Sequence, residues 1–266
     1  MKQSQSFSDW NSEQYTKFGT QRTQPIIDLL NRIQKESPEK ILDIGCGPGN
    51  STAMLSRFFP DADILGIDAS ESMLNHALEK HPELSFRKCN VPEDLSSLSD
   101  SYDLVFSNAC IHWIPDQKKL LHNILEMMPD GGILAVQIPL TQEAKFYHVL
   151  NQVLEQPKWK TLRSIHNFYN LLPGEYYDLF SSERCTFTLW ETTYYHVMDS
   201  IDGIIEWYKG SGLRPYLNAL RDEQRKDFLS DLLSQLKQYY KSQQDGKVIH
   251  KMPRLFFTVK KNGIED

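Results

Sequence analysis

Residues 40–50 read KILDIGCGPGN, an apolar run that passes into glycines at 45, 47 and 49. A short apolar run closed by alternating glycines and followed by a helical pattern is the turn from a buried strand into a helix. A strand that is apolar along its length needs cover on both faces, which points to a parallel sheet wrapped by helices. The next hundred residues repeat the unit. ADILGID (62–68) reads as a second strand, LSFRKCN (84–90) as a third, YDLVFSNA (102–109) as a fourth and GGILAVQI (131–138) as a fifth. Helices are expected over Ser51–Phe59, opened by Asn50 as N-cap, over the stretch from Ser70 to Lys80, with Ser70 as cap, and over Asp116–Met128. The last of these exits through Pro129-Asp130-Gly131-Gly132.

After residue 140 the regularity breaks. TFTLWETTYYHVM (186–198) and RLFFTVKK (254–261) are rich in β-branched and aromatic residues and read as a final antiparallel pair. The intervening chain, 199–253, is far longer than a hairpin loop and mostly helical in pattern, so it reads as an insert. With the aromatic stretch KWKTLRSIHNFYNLLPGEYYDLF (158–180) it is expected to cap the carboxyl edge of the sheet, where open α/β sheets bind ligands. The fold class is α/β, a doubly wound Rossmann-like sheet with a helical cap insert. The chain divides into an N-terminal lid segment (1–30), a core (31–140) and a C-terminal part completing sheet and cap (141–266), within a single domain overall. A net charge of −6, relieved only by short basic clusters such as Lys260-Lys261, argues against nucleic acid as partner. Cys46, Cys89, Cys110 and Cys185 lie far apart and form no zinc-like spacing, so no metal is expected and a reduced compartment fits. With neither a signal-peptide core nor a membrane-length apolar run in sight, a cytoplasmic protein is the expectation.

The spacing of the glycines selects the ligand class. A dinucleotide fingerprint would need its third glycine at position 50, where the chain has Asn50, and no Gly-Lys-Ser/Thr element is present. The pattern that remains, Asp43-x-Gly45-x-Gly47-x-Gly49, lets backbone approach a nucleoside without claiming a pyrophosphate. Asp68, followed by Ala69 at the end of the second strand, can accept both ribose hydroxyls. S-adenosylmethionine meets these terms: free ribose hydroxyls, no phosphate and a positive sulfonium. On this reading Gly45 and Gly47 pass beneath the methionine and ribose portions, and Asn90-Val91 reaches the adenine. Met73 either packs in the core or covers the adenine ring. Asn108 and Asp43 lie toward the methionine end. Asp43 has a second reading, a buried carboxylate bonded to the loop.

ILDIGCGPGNS with GIDAS resembles the first two motifs of class I S-adenosylmethionine-dependent methyltransferases. SDWNSEQYTKF, SNACIHWIPD, GGILAVQIP, WETTYYHVM, GLRPYL and MPRLFFTVKK, in order along nearly the whole chain, resemble the trans-aconitate 2-methyltransferase family. The resemblance implies a seven-stranded sheet and methyl transfer to one carboxylate of an unsaturated tricarboxylic acid. The chain departs from the family pattern at LTQEAKFY after Pro139, and at Asn90, where an aspartate is usual.

A carboxylate is already ionised at neutral pH, so methylating it needs alignment of oxygen, methyl carbon and sulfur but no general base. No catalytic acid or base is therefore assigned. Acceptor contacts are expected from Arg214, whose guanidinium can grip a carboxylate, from the aromatic wall His112-Trp113 after the fourth strand, and from Tyr195 and His166. Trp10, Tyr15 and Phe18 are candidates for a lid helix, and Arg22 for a further acceptor contact. Two rival functions share these features: a carboxyl methyltransferase for another organic acid or an acyl-carrier-protein ester, and a cofactor-binding protein without catalysis. The sequence leaves the oligomeric state open.

Overall fold

A computed structural model describes residues 19–98, 101–165 and 168–263, with the side chains of 19–22 excepted. Trp10, Tyr15, Phe18, the side chain of Arg22, and His166 lie outside the described residues. The chain forms two compact units: one runs to Ile138 and adds Tyr169–Trp190 and the chain from Leu255, and the other takes Pro139–Phe168 and Glu191–Arg254.

In the first unit α1 (Gly19–Ile33), β1 (Lys40–Ile44), α2 (Asn50–Phe58), β2 (Asp63–Asp68), α3 (Glu71–Lys80), β3 (Ser85–Lys88), β4 (Leu104–Asn108), α4 (Gln117–Met127) and β5 (Ile133–Pro139) follow in order. Beyond β5 come α5 (Lys145–Leu154), α6 (Pro173–Ser182), β6 (Cys185–Met198), α7 (Ile201–Lys209), α8 (Arg214–Asn218), α9 (Asp222–Tyr239) and β7 (Val248–Lys261). The seven strands form one sheet in the order β3-β2-β1-β4-β5-β7-β6, with β1 to β5 parallel. The seventh strand runs against β5: Lys261 accepts from the Gly131 N–H at one end, and Pro253 accepts from the Leu140 N–H at the other. This is the doubly wound sheet with an antiparallel last strand that the sequence predicts. Ile41, Leu42, Val105, Phe106, Leu134 and Ala135 are all 0 % exposed, as central strands covered on both faces require. Asp103 ties the start of β1 to the start of β4, its Oδ2 accepting from the N–H groups of Glu39 (3.0 Å) and Lys40 (2.9 Å).

The helix starts are met in part. Ser70 caps α3, accepting from the Met73 N–H at 3.4 Å, and Asp116 caps α4. At α2 the cap is Gly49, in the left-handed region with φ 85, and Asn50 is the first helical residue. A left-handed turn is needed there to bring the glycine loop back into the helix, and glycine adopts it at least cost.

Two further expectations are corrected. Residues 158–180 do not all belong with the insert: the part up to Phe168 shares its unit, while the part from Tyr169 onward belongs to the unit that holds the parallel strands. Tyr176 and Phe180 of α6 meet Phe257 of β7 with ring centroids 5.1 and 5.2 Å apart. The last strand also starts earlier than RLFFTVKK, at Val248. Val248, His250 and Met252 are buried while Ile249 and Lys251 are exposed, an alternation hidden in the sequence by the histidine, the lysine and Pro253.

The second unit is helical apart from the outer parts of β6 and β7. Phe146 of α5 stacks on Tyr208 of α7 at 3.5 Å between centroids, and Trp159 meets Phe228 of α9 edge-on while its Nε1 donates to Asp231 at 2.8 Å. His250 is fully buried between two phenols, Tyr208 at 3.2 Å and Tyr240 at 2.8 Å, and burial pushes its imidazole down to about 3. It is neutral at physiological pH, one ring nitrogen donating and the other accepting. Among the described residues no helix is long and apolar enough to cross a membrane.

Candidate active site

Four loops follow the carboxyl ends of the neighbouring strands β3, β2, β1 and β4 and line an open pocket with a cavity volume of about 100 Å³. The strand order changes direction between β1 and β4, the place where open α/β sheets accept ligands. The loops are bonded to one another. The N–H groups of Gly45 and Cys46 donate to the Ile67 carbonyl at 2.8 and 3.0 Å, and Cys89 N–H donates to the Asp68 carbonyl at 3.1 Å.

Asp68 is the hinge of this arrangement. One carboxylate oxygen accepts from the Gly47 N–H at 2.9 Å and the other from the Ser70 N–H at 2.8 Å. Each oxygen keeps a further lone pair, and the residue lines the pocket. Burial pushes its carboxyl up, and the N–H groups of Ser70, Gly47 and Ala69 act against that.

Gly45 and Gly47 both line the pocket at positive φ, 75 and 53, but differ in what surrounds them. A Cβ on Gly45 would lie 2.1 Å from Cys110 Sγ, so the glycine allows β1 and β4 to close the pocket floor. A Cβ on Gly47 would meet nothing within 4 Å, which marks the space that a ligand can fill. Gly49 is not among the lining residues. Its α-carbon packs toward His81, Phe86 and Ala77, so its place is in the scaffold.

Of the residues singled out in the sequence, Ala69, Met73, Asn90, Val91 and Asn108 line the pocket. Met73 is 3 % exposed, packed in the core, and its surface forms part of the pocket wall. Among the described residues Asn108 Oδ1 is buried and finds no hydrogen-bond donor, an acceptor ready for a ligand. Asp43 sits behind the wall, fully buried, its Oδ2 accepting from the hydroxyls of Ser51 (2.6 Å) and Thr52 (2.7 Å). Its Oδ1 finds no partner among the described residues.

Burial pushes Asp43 up to about 6, against the two hydroxyl bonds and with a smaller push from Asp68. Because the folded state favours the protonated form, Asp43 stabilises most at acid pH, and that contribution is lost as pH rises from about 4 through about 6. The loss amounts to about 3 kcal/mol at ~1.4 kcal/mol per unit. Asp43→Asn keeps an acceptor for Ser51 and Thr52 and removes the charge. Its stability relative to the parent, read from urea melts without ligand, should improve by up to about 3 kcal/mol between pH 4 and pH 7.5. A pH-independent difference would place the Asp43 carboxyl in the ordinary range.

On the acceptor side Trp113 lines the pocket. His112 does not; it is 3 % exposed, with its ring 5.1 Å from that of Trp113 and its carbonyl accepting from the Tyr169 N–H at 2.9 Å. Gln117 holds this turn, its Nε2 donating to the carbonyls of Ile111 and Ile114 at 2.7 Å each while its Oε1 accepts from Tyr176 Oη at 3.2 Å. Tyr195 and Arg214 belong to the second unit, the tyrosine exposed on β6 and the arginine half-buried at the start of α8. Cys89, Cys110 and Ile114 line the pocket without having been singled out in the sequence. Cys89 precedes Asn90, Cys110 stands two residues after Asn108 and Ile114 follows Trp113, so closeness to residues already assigned was the available signal.

A family model described as a methyltransferase domain matches residues 18–181. A trans-aconitate 2-methyltransferase of Afipia carboxidovorans is 38 % identical over 255 residues, covering 95 % of this chain and 99 % of that protein. One from Rhodopseudomonas palustris strain HaA2 is 37 % identical, covering 94 % and 98 %. Among solved structures, the Haemonchus contortus phosphoethanolamine N-methyltransferase 2 in complex with S-adenosyl-L-methionine aligns with a TM-score of 0.58 at 17 % identity, over 95 % of this chain and 57 % of that one. The YcgJ protein of Bacillus subtilis aligns with a TM-score of 0.58 at 16 % identity, over 90 % and 99 %. A methyltransferase domain spanning more than half the chain, with end-to-end identity above a third, places this protein in the trans-aconitate 2-methyltransferase family.

Proposed function

We propose that the protein transfers a methyl group from S-adenosylmethionine to one carboxylate of trans-aconitate, giving a monomethyl ester. The observation that carries the cofactor is Asp68, held by the Gly47 and Ser70 N–H groups at the edge of a glycine-lined pocket with lone pairs to spare. The acceptor rests on likeness along the whole chain to relatives that carry this name. S-adenosylmethionine supplies an electrophilic methyl carbon on a cationic sulfur.

This chain's residues bind and orient. Asp68 accepts the ribose hydroxyls, Asn108 Oδ1 accepts from the amino group at the methionine end, and Asn90 and Val91 meet the base. Trp113 and Ile114 exclude water from the reacting centre, which strengthens the electrostatic interactions inside it. For the acceptor carboxylates the candidate ligands are Arg214, whose guanidinium can grip one of them, and Tyr195 and His166. The segment 1–30 serves as lid, 31–140 as cofactor-binding core and 141–266 as the part that completes sheet and acceptor cap.

Among the described residues, the titratable groups lining the pocket are Asp68, Cys89 and Cys110. Burial pushes both thiols up, and Asp68 is committed to the loops, so none of the three serves as a base at neutral pH. An acceptor already ionised suits such a pocket. Single-turnover rates at saturating cofactor and trans-aconitate should be flat between about pH 6.5 and 8.5, because a carboxylate of pKa near 4 is fully ionised throughout. A tenfold rise per pH unit would indicate an acceptor that must lose a proton, and would overturn the carboxylate assignment.

A further inference from the structure

Asn90, at the base end of the pocket, is an amide, and an amide can present either a donor or an acceptor. Its backbone is pinned: the N–H donates to Asp94 Oδ2 at 2.9 Å, and the carbonyl accepts from the Asp94 N–H at 2.8 Å. Its side chain bonds at the protein surface, where both residues are exposed: Nδ2 donates to Glu93 Oε2 at 3.0 Å. An ionised carboxylate only accepts, so the NH₂ must face Glu93, and the planar amide then carries Oδ1 on its other edge. Asn90 itself lines the pocket.

We propose that Glu93 is a positioning residue that locks the Asn90 amide with its oxygen toward the ligand, so that the pocket selects a 6-amino purine over a 6-oxo purine. The proposal rests on the reading that this pocket takes an adenosyl ligand. An adenine amino group donates to Oδ1. The 6-oxo group of hypoxanthine sets a second acceptor against it. Without Glu93 the amide can turn over about its last torsion, which is broad and roughly two-fold, and offer its NH₂ to the oxo group. The lock also gives this chain a way to prefer adenine with an amide.

The test is calorimetry with S-adenosylhomocysteine and S-inosylhomocysteine. The parent should prefer the adenosyl ligand by about tenfold, the value of one hydrogen bond made rather than opposed. In Glu93→Ala the preference should fall to about two- to threefold, mainly through tighter binding of the inosyl ligand, a change that simple loss of structure would not produce. A second variant tests the lock by sign. In an Asn90→Asp background Glu93 repels the new carboxylate, so Glu93→Gln should raise adenosyl affinity there, while in the parent it should not. An unchanged ratio in Glu93→Ala, or no gain from Glu93→Gln in the Asn90→Asp background, would overturn this inference and leave the cofactor reading intact. Failure of the folded parent to bind either ligand would overturn the cofactor reading, and this inference with it.

Discussion

Gly45→Ala should destabilise the protein by about 2 to 5 kcal/mol and abolish cofactor binding. Two costs add. A residue with a Cβ at φ 75 pays roughly 1 to 2 kcal/mol for the left-handed conformation. The new methyl would also stand 2.1 Å from Cys110 Sγ and 2.3 Å from Cys110 Cβ, so the ends of β1 and β4 must part, at about 1 to 3 kcal/mol for overpacking. The expected fall in melting temperature is about 5 to 15 °C. Cys110→Ala cannot relieve the clash, since the Cβ is part of it, but Cys110→Gly can. The pair Gly45→Ala with Cys110→Gly should therefore recover the steric share and leave the conformational one. Gly47→Ala separates fold from binding: its Cβ meets nothing, so stability should drop by only about 1 kcal/mol while the ligand loses its space. Thermal melts of the four proteins, with and without S-adenosylmethionine, check the set. No rescue by Cys110→Gly would mean that the contact with Cys110 is not what position 45 requires.

Asp68→Ala should weaken S-adenosylmethionine binding by about a hundredfold, since hydrogen bonds to a charged acceptor contribute roughly 1.5 to 3 kcal/mol. The substitution also leaves the Gly47 and Ser70 N–H groups without their acceptor, so the glycine loop loosens as the ribose contact is lost. The same geometry makes Asp68→Asn a severe change. Each carboxylate oxygen receives one backbone N–H, and an amide can serve only one of them before its NH₂ is set against the other donor. Calorimetry should rank the parent far above Asp68→Asn, with Asp68→Ala at or below it. Unchanged affinity in Asp68→Ala would remove this residue from the ribose.

The glycine-lined pocket was legible because the segment that builds it is local. A strand, a glycine turn, a helix and an acid at the next strand end lie within thirty residues, and the positive φ of the turn is what glycines at 45, 47 and 49 announce. What the sequence hid is long-range. Gly45 needs to be a glycine because of Cys110, far along the chain, and no periodicity announces that contact. His112 and Trp113 are neighbours in sequence, yet the tight turn over Ile111–Trp113 sends the tryptophan to the pocket and the histidine into the protein. The aromatic stretch 158–180 carries no sign of which layer it joins; Tyr176 and Phe180 pack on β7, a strand that arrives some seventy residues later. The early start of β7 was masked for a different reason, since His250 is a polar residue whose burial depends on two tyrosines brought to it by the fold.

Methyl transfer to a carboxylate can be read out by incubating the protein with methyl-labelled S-adenosylmethionine and trans-aconitate and identifying the product by mass. The expected product is a singly labelled monomethyl ester formed in step with S-adenosylhomocysteine, with no transfer to the fully esterified acid, which has no carboxylate left to attack. Labelled methyl on an amine or a phenol in place of the acid, or cofactor bound and never consumed across a panel of di- and tricarboxylic acids, would contradict methyl transfer to a carboxylate.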